Sequence, residues 1–247
     1  LNWNMDGTHA VTAFTNAATG VLNISATPTV PTFTTLTTSA AGNTVNYTGA
    51  GAQTVKVIGY SNLILSGSGA KTCAVTTVNN DFTLSGTATV THGATLAITR
   101  DLLLNGGTFT TGAFTLSVGR NLALSGGNLT TTGAFACTVT GTTTITSGTL
   151  TLPVSAGNKT FTGLVTLNGG TLTGASTTVV LGSGITNTAG TVTLTGTATM
   201  NTTAATFGGT ISIATVSVNT GVAVTNNGTL TVGTSLTGAG TGSLTNS

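Results

Sequence analysis

The sequence reads DFTLSGTATVTHGATLAITR at residues 81–100, then DLLLNGGTFTTGAFTLSVGR at 101–120 and NLALSGGNLTTTGAFACTVTG at 121–141. These stretches align on a period of about 20 residues, and what recurs is a pattern of apolar positions rather than a chemical motif. The recurring columns are Phe82/Leu102/Leu122, Leu84/Leu104/Leu124 and Gly86/Gly106/Gly126, followed by Ala94/Phe114/Phe135, Leu96/Leu116/Cys137 and Ile98/Val118/Val139. A repeat of this size cannot bury its apolar residues alone, so copies must stack on one another. The pattern predicts a solenoid.

The composition favours strands throughout the 247 residues. Only 3% of the residues are charged, with five Lys and Arg and three Asp and Glu, whereas about a quarter is usual in soluble domains. Threonine is the commonest residue and 36 residues are glycine. Threonine and valine favour strands and glycine supplies turns, while the strong helix formers are nearly absent. We therefore expect an all-β protein.

The period and the composition together predict a parallel β-helix. Each coil would hold about three short strands joined by glycine-containing turns, and each strand would pair in parallel with its counterpart one coil away. About twelve such coils would form a rod of about 55 to 60 Å. Both ends of the rod would then be open strand edges, which natural proteins either cap or use.

Two regions are expected along the chain, namely residues 51–247 as β-helix coils and residues 1–50 as an atypical segment. The segment holds Trp3, Asp6 and His9, and the stretch around Pro28 and Pro31 resembles a linker or an edge, since proline cannot donate to a strand ladder. It is either a cap over the first coil or an arm that adds a strand to another subunit. Because the chain starts at Leu1 without a basic n-region, we expect a mature product or a fragment.

Composition argues against two classes of partner. A formal charge of +2 is too small for the electrostatic footprint of a nucleic-acid-binding protein. Aromatic residues make up 4% of the chain, so stacking platforms for bases are scarce. No apolar run approaches the roughly 18 residues of a membrane helix. We therefore expect neither nucleic-acid binding nor membrane insertion.

Both cysteines, Cys73 and Cys137, fall at positions that the repeat directs inward. They lie about three coils apart, roughly 14 Å at the spacing of stacked strands, and a disulfide needs Cα atoms within about 7 Å. We expect two free, buried thiols that act as small apolar residues.

No catalytic, metal or cofactor site is expected. Asp81 and Asp101 would lie on adjacent coils beside Arg100 and Arg120, which indicates a structural Asp–Arg ladder on a corner rather than an acid–base pair. Three aspartates cannot supply a calcium site. His9 has no metal-ligand set around it, and neither does His92, which is expected to be exposed at the turn before Gly93.

Two further patterns receive structural interpretations. The glycine-rich stretch GSGAK (67–71) does not open a helix and is interpreted as a turn. The segment LTLPVSAGNKTFTG (150–163) carries Pro153 and Lys159 and is expected to form a bulged or looped coil.

Rows of threonine suggest a comparison with ice-binding solenoids, which present regular Thr-x-Thr arrays. Here the outward rows read Thr95/Ala97/Thr99, Thr115/Ser117/Gly119 and Ala136/Thr138/Thr140, so the array is broken. Threonine ladders on a β-surface are more often structural.

The stretch NTVNYTGAGAQTVKVIGYSNLILSGSGAKT (43–72) and the coils after it resemble repetitive surface proteins of Bacteroidota and other bacteria. They are more loosely similar to β-helical adhesins of the filamentous-haemagglutinin type. The resemblance covers roughly residues 40 to 175, and those proteins usually carry an aliphatic residue where Cys73 stands. It implies an exported, right-handed β-helix with a surface or adhesive role.

We therefore expect an extracellular structural protein without enzymatic activity that assembles with itself, head to tail, into a surface fibre. The alternative is a repeat segment of a large adhesin that binds glycans or another surface, with ice binding less favoured. A polysaccharide-active enzyme is disfavoured by the shortage of acids.

Overall fold

The computed structural model describes residues 9–132, 135–154, 157–175 and 178–246. Within these ranges every element is a β-strand, and no helix occurs. The first strands are β1 (Ala10–Thr15), β2 (Val21–Ile24), β3 (Thr32–Thr37), β4 (Thr44–Tyr47), β5 (Gln53–Thr54), β6 (Asn62–Leu65), β7 (Ala70–Cys73), β8 (Thr77–Val78), β9 (Phe82–Leu84), β10 (Thr89–His92), β11 (Leu96–Ile98), β12 (Leu102–Leu104), β13 (Thr108–Thr110) and β14 (Leu116–Val118). The remainder are β15 (Leu122–Thr130), β16 (Cys137–Val139), β17 (Thr143–Leu152), β18 (Lys159–Phe161), β19 (Val165–Leu167), β20 (Thr171–Gly174), β21 (Thr178–Leu181), β22 (Gly184–Asn187), β23 (Thr191–Met200), β24 (Ala204–Gly208), β25 (Thr210–Val218), β26 (Ala223–Asn226), β27 (Thr229–Gly238) and β28 (Ser243–Asn246).

The chain winds through three faces per coil, and every strand pairing is parallel. Face A includes β8, β11, β14, β16 and β18. Face B runs from β2 through β4, β6, β9 and β12. Face C includes β5, β7, β10 and β13. About 12 coils of about 20 residues stack in this way, so the parallel β-helix expected from the sequence is confirmed.

The register reproduces the columns of the repeat. Leu102 pairs with both Phe82 and Leu122, and Leu104 pairs with both Leu84 and Leu124. On face A the columns are Leu96/Leu116/Cys137 and Ile98/Val118/Val139. Parallel in-register pairing brings residues of equal position in successive coils together, which is why apolar residues at one position form a continuous inner ladder.

Burial alternates along the strands as the side-chain period of two requires. In β12, Leu102 and Leu104 are fully buried, whereas the intervening Leu103 is only partly buried. The core is a single column of apolar side chains that extends from Leu22 to Val224. In the described strands of this span, the inward positions are therefore filled by side chains.

The N-terminal region contributes strands to the same stack. β2 pairs with β4 and β4 with β6, so face B begins at Val21. β1 and β3 form a two-stranded parallel sheet, and the amide of Ser61 donates to the carbonyl oxygen of Thr38 just beyond β3 at 2.8 Å. Trp3 and Asp6 lie outside the described residues. The choice between a cap and a subunit-joining arm for residues 1–50 stays a prediction.

Corners between faces are built from glycine where successive coils approach closely. Gly148 turns β17 from face B to face C with φ of +87°, and a Cβ there would lie 2.0 Å from the carbonyl oxygen of Gly127. Only glycine fits this corner, because any other residue would meet the backbone of the preceding coil.

Candidate functional site

The Asp–Arg ladder expected at a corner is present. Nε of Arg120 donates to Oδ1 of Asp101 at 2.8 Å, and its Nη2 donates to the other carboxylate oxygen. Nε of Arg100 lies 3.8 Å from Oδ1 of Asp81, which also accepts the amide of Asp101 at 3.2 Å. The hydrogen bond from Arg120 lowers the pKa of Asp101. A carboxylate held ionised in this way is a poor general acid, so the ladder is suited to structure rather than to proton transfer.

Two lysines occupy inward positions, which the sequence reasoning missed. Lys71 and Lys159 are fully buried. Ala70 and Lys71 lie in strand β7, so the interpretation of GSGAK (67–71) as a turn is wrong at its last two residues. Nζ of Lys71 donates to the carbonyl oxygens of Gly49 at 2.6 Å and Gly51 at 3.2 Å and to Oε1 of Gln53 at 2.7 Å. Burial lowers the pKa of Lys71.

Lys159 is likewise buried, on face A, and its amine also donates to a main-chain carbonyl oxygen. It stands in register between Cys137 and Val179, and its Nζ donates to the carbonyl oxygen of Phe135. The half-buried Lys56 also donates to a main-chain carbonyl, that of Phe33, at 2.7 Å. Each of the three amines therefore donates to at least one backbone carbonyl oxygen. The sequence did contain a signal for the burial of Lys71. The alternation of inward and outward residues along β7 places Lys71 on the inward side, where it is in register with Val90 and Phe109.

His92 corrects another expectation. It was expected to be exposed at a turn, but only 2% of its surface is accessible. It is the last residue of β10, in register with Cys73, and its ring stacks on Phe109 with centroids 5.9 Å apart. Nδ1 lies 2.8 Å from the carbonyl oxygen of Ala94. Burial lowers the pKa of His92, because a charged imidazolium would be poorly solvated in this position.

The two cysteines are free and buried, as expected. Burial raises the pKa of Cys73 to about 11 and that of Cys137 to about 12. A thiol with such a pKa carries almost no thiolate at neutral pH, and thiolate is the reactive form. Both cysteines therefore act as core residues.

Within the described part of the chain, no group of three or more His, Cys, Asp or Glu side chains could hold a metal ion. The same residues contain no helix long and apolar enough to cross a membrane.

The outer face of the rod is neutral and mostly polar, with one aromatic exception. Ala97, Ser117 and Thr138 form an outward row on face A, which confirms that the threonine array is broken. Phe114 and Phe135, which the repeat placed among its apolar columns, lie outside the core with 38% and 43% of their surfaces exposed. Their rings stack on each other with centroids 6.4 Å apart.

The C-terminal coil, residues 229–246, is the most exposed apolar part of the stack. Leu236 is 51% exposed, and Leu230, Val232 and Leu244 are only partly buried. Within the described residues β27 pairs only with β25, and β28 only with β26. A shallow cavity of about 230 Å³ is lined in part by Val218, Leu236 and Leu244. Among the described residues, this coil therefore presents a strand edge without a partner beside the exposed Leu236.

No protein-family model, curated protein or solved structure matches this chain.

Proposed function

We propose that this protein is an extracellular structural protein, a β-solenoid subunit that assembles head to tail into a surface fibre and carries out no catalysis. The observation that carries the proposal is the C-terminal coil, whose described strands β27 and β28 pair on one side only, which exposes Leu236 and which contains no charged residue. Unprotected strand edges recruit further strands. A head-to-tail contact that does not close on itself propagates into a filament.

The mechanical part of the proposal rests on the continuous ladders. Each coil is bound to the next by parallel backbone hydrogen bonds on three faces and by an unbroken apolar core. In a solenoid each repeat is stabilised by its neighbours, so the stack resists bending and local opening better than an isolated coil. Such a rod is suited to bear load along a fibre.

The charge distribution supports close approach of copies. No Asp, Glu, Lys, Arg or His occurs after Lys159, and the ladder of Asp81, Arg100, Asp101 and Arg120 pairs its own charges. Net charge keeps proteins apart in solution, so its near absence allows subunits to meet end to end.

An extracellular location and a relationship to repetitive bacterial surface proteins belong to this proposal. They are supported by the resemblance of residues 43–72 and the coils that follow. Protease treatment of intact source cells tests the location, since a surface fibre subunit would be degraded or released while cytoplasmic markers stay intact.

Electron microscopy of the purified chain tests the assembly. Negatively stained samples at micromolar concentration should show uniform fibres whose number rises with concentration and whose width equals that of one rod. Dispersed rods of about 55 to 60 Å at every concentration would contradict the proposed function.

A second candidate function is supported by the exposed Phe114–Phe135 stack. In this role the chain would be a segment of a larger adhesin that binds neutral glycans, with the rings contacting the apolar face of a sugar and the nearby hydroxyls binding its oxygens. Substituting both residues by alanine should abolish retention on a glycan array while fibres, if present, still form. Equal retention of wild type and variant would exclude this surface.

A further inference from the structure

Asparagine precedes glycine twice in one column of the corner where face B turns into face C. Asn105 follows β12 and Asn168 follows β19, and the register of face B through β15 and β17 places the two residues three coils apart in the same column. At the spacing of stacked strands they lie about 14 Å apart along the rod. Both are exposed to solvent. A third pair, Asn227–Gly228, follows β26 at this corner but in a different register.

The corner itself requires the glycine after each of the two asparagines. A Cβ on Gly106 would lie 2.4 Å from the carbonyl oxygen of Gly86, and a Cβ on Gly169 would lie 2.3 Å from that of Thr146. Glycine also has no side chain that shields its main-chain nitrogen from the residue before it. Among the described residues, neither of these two amides donates a hydrogen bond, so a reaction at the nitrogen would break none.

A hydroxyl from the next coil contacts the carboxamide oxygen of each asparagine. Oγ of Ser125 donates to Oδ1 of Asn105 at 2.9 Å. Oγ1 of Thr188 lies 3.1 Å from Oδ1 of Asn168, and it also lies 2.9 Å from the carbonyl oxygen of Leu167, so its single proton is shared. A donor aimed at a carbonyl oxygen stabilises the negative charge that develops there when a nucleophile attacks the carbon.

We propose that Asn105 and Asn168 are sites of spontaneous deamidation in the folded protein, through which this corner gains carboxylates. The main-chain nitrogen of the following glycine attacks Cγ of the asparagine. Its proton passes to the side-chain nitrogen, the bond from Cγ to that nitrogen breaks, and ammonia leaves as a succinimide ring closes. Water then opens the ring to aspartate or isoaspartate, so the overall change converts asparagine and water into an acid and ammonia.

The reaction changes the charge of an almost neutral surface. Each new carboxyl is ionised at neutral pH, and two such events cancel the formal charge of +2. The new charges lie on the outer side of the rod, because both asparagines are exposed. The reaction takes place within one chain and does not depend on assembly into fibres.

Peptide mass spectrometry of the folded chain, sampled during incubation in mildly alkaline buffer, tests the proposal. Asn105 and Asn168 should gain the mass that distinguishes an acid from an amide, and part of each product should elute separately as the isoaspartyl isomer. Isoelectric focusing should show more acidic forms over the same period. Circular dichroism should keep the strand signal of the starting protein, which places the reaction in the folded state.

Two other asparagines of this chain serve as matched controls. Asn46 also accepts a hydroxyl, from Ser66 at 2.7 Å, but it precedes a tyrosine. Asn201 is exposed but precedes a threonine. Both should remain amides while Asn105 and Asn168 react. Equal rates at the controls and at the two sites, or intact amides at all four, would overturn the proposal.

The variant Ser125→Ala tests the contribution of the fold at an exposed position. Loss of this donor should slow deamidation of Asn105 by about fivefold, the effect of one hydrogen bond of ordinary strength. Asn168, three coils away, should react in the variant as it does in the wild type. An unchanged rate at Asn105 would show that the neighbouring coil does not assist the reaction and would overturn that part of the proposal.

Discussion

His92 shows how a single buried residue makes this neutral protein sensitive to acid. Burial lowers its pKa in the folded protein, whereas the unfolded chain keeps the usual value of about 6.5. The unfolded state therefore binds a proton more readily, so stability is complete above about pH 6.5 and is lost as pH falls through this window towards the folded pKa. The facing Cys73 stays neutral there, because its pKa is raised to about 11.

We therefore predict that the free energy of unfolding falls between pH 7 and pH 5 by up to about 1.4 kcal/mol per pH unit. Chemical denaturation at several pH values measures it. His92→Phe should flatten the dependence, because it removes the group whose pKa is lowered by burial. An unchanged slope in His92→Phe would assign the acid sensitivity to another group.

Lys71 is a second residue whose contribution follows from its contacts. Lys71→Met removes three hydrogen bonds, to the carbonyl oxygens of Gly49 and Gly51 and to Oε1 of Gln53, while it also relieves the desolvation of an amine. Oε1 of Gln53 keeps the amide of Gly49 as a donor at 3.0 Å. Because three hydrogen bonds from one buried amine outweigh its desolvation, we expect a loss of about 2 to 3 kcal/mol in unfolding free energy. Lys56→Met, which removes one donor at a half-buried position, should cost less than about 1 kcal/mol. Equal losses in the two variants would contradict this reasoning.

At the scale of strands and corners, Gly148 lies where the chain turns from face B to face C. A Cβ at this position would lie 2.0 Å from the carbonyl oxygen of Gly127, and φ is +87°. We expect Gly148→Ala to lower stability by about 2 kcal/mol or more, through backbone strain and the displacement of a coil. Gly59→Ala, where a Cβ would meet nothing within 4 Å, is the matched control and should be nearly neutral. Thermal melts of both variants measure the two changes in stability, and equal melting temperatures would contradict the prediction.

The strands could be predicted from the sequence, whereas the corners and the buried polar groups could not. Columns such as Leu84/Leu104/Leu124 recur at a fixed spacing with one kind of side chain, so periodicity alone places them inside. His92 and Lys71 obey the same alternation, but their polarity suggested exposure, and only the positions of the carbonyl oxygens around them show how they are satisfied. For Phe114 and Phe135 the error was the opposite one, because the repeat placed them among its apolar columns and the structure exposes them. They follow the apolar repeat but stand just before a face A strand, where the alternation no longer determines which side they face.

At the scale of the whole molecule, the scarcity of charge makes a prediction about salt. Electrostatic forces between exposed charges are screened over about 10 Å at 0.1 M salt, but the C-terminal coil, residues 229–246, contributes no charged side chain to a joint. The concentration at which wild-type fibres form should therefore change less than about twofold between 50 and 500 mM NaCl, since apolar contact and backbone pairing dominate.

Light scattering at fixed protein concentration records fibre formation over this range of NaCl. A change in wild-type assembly well above about twofold would mean that the joint involves charged groups, whose attraction salt weakens. The side chains of Arg100 and Arg120, which are 45% and 49% exposed, would then be the first candidates for the contact between subunits. In that case the subunits would meet side by side at the Asp–Arg corner rather than end to end.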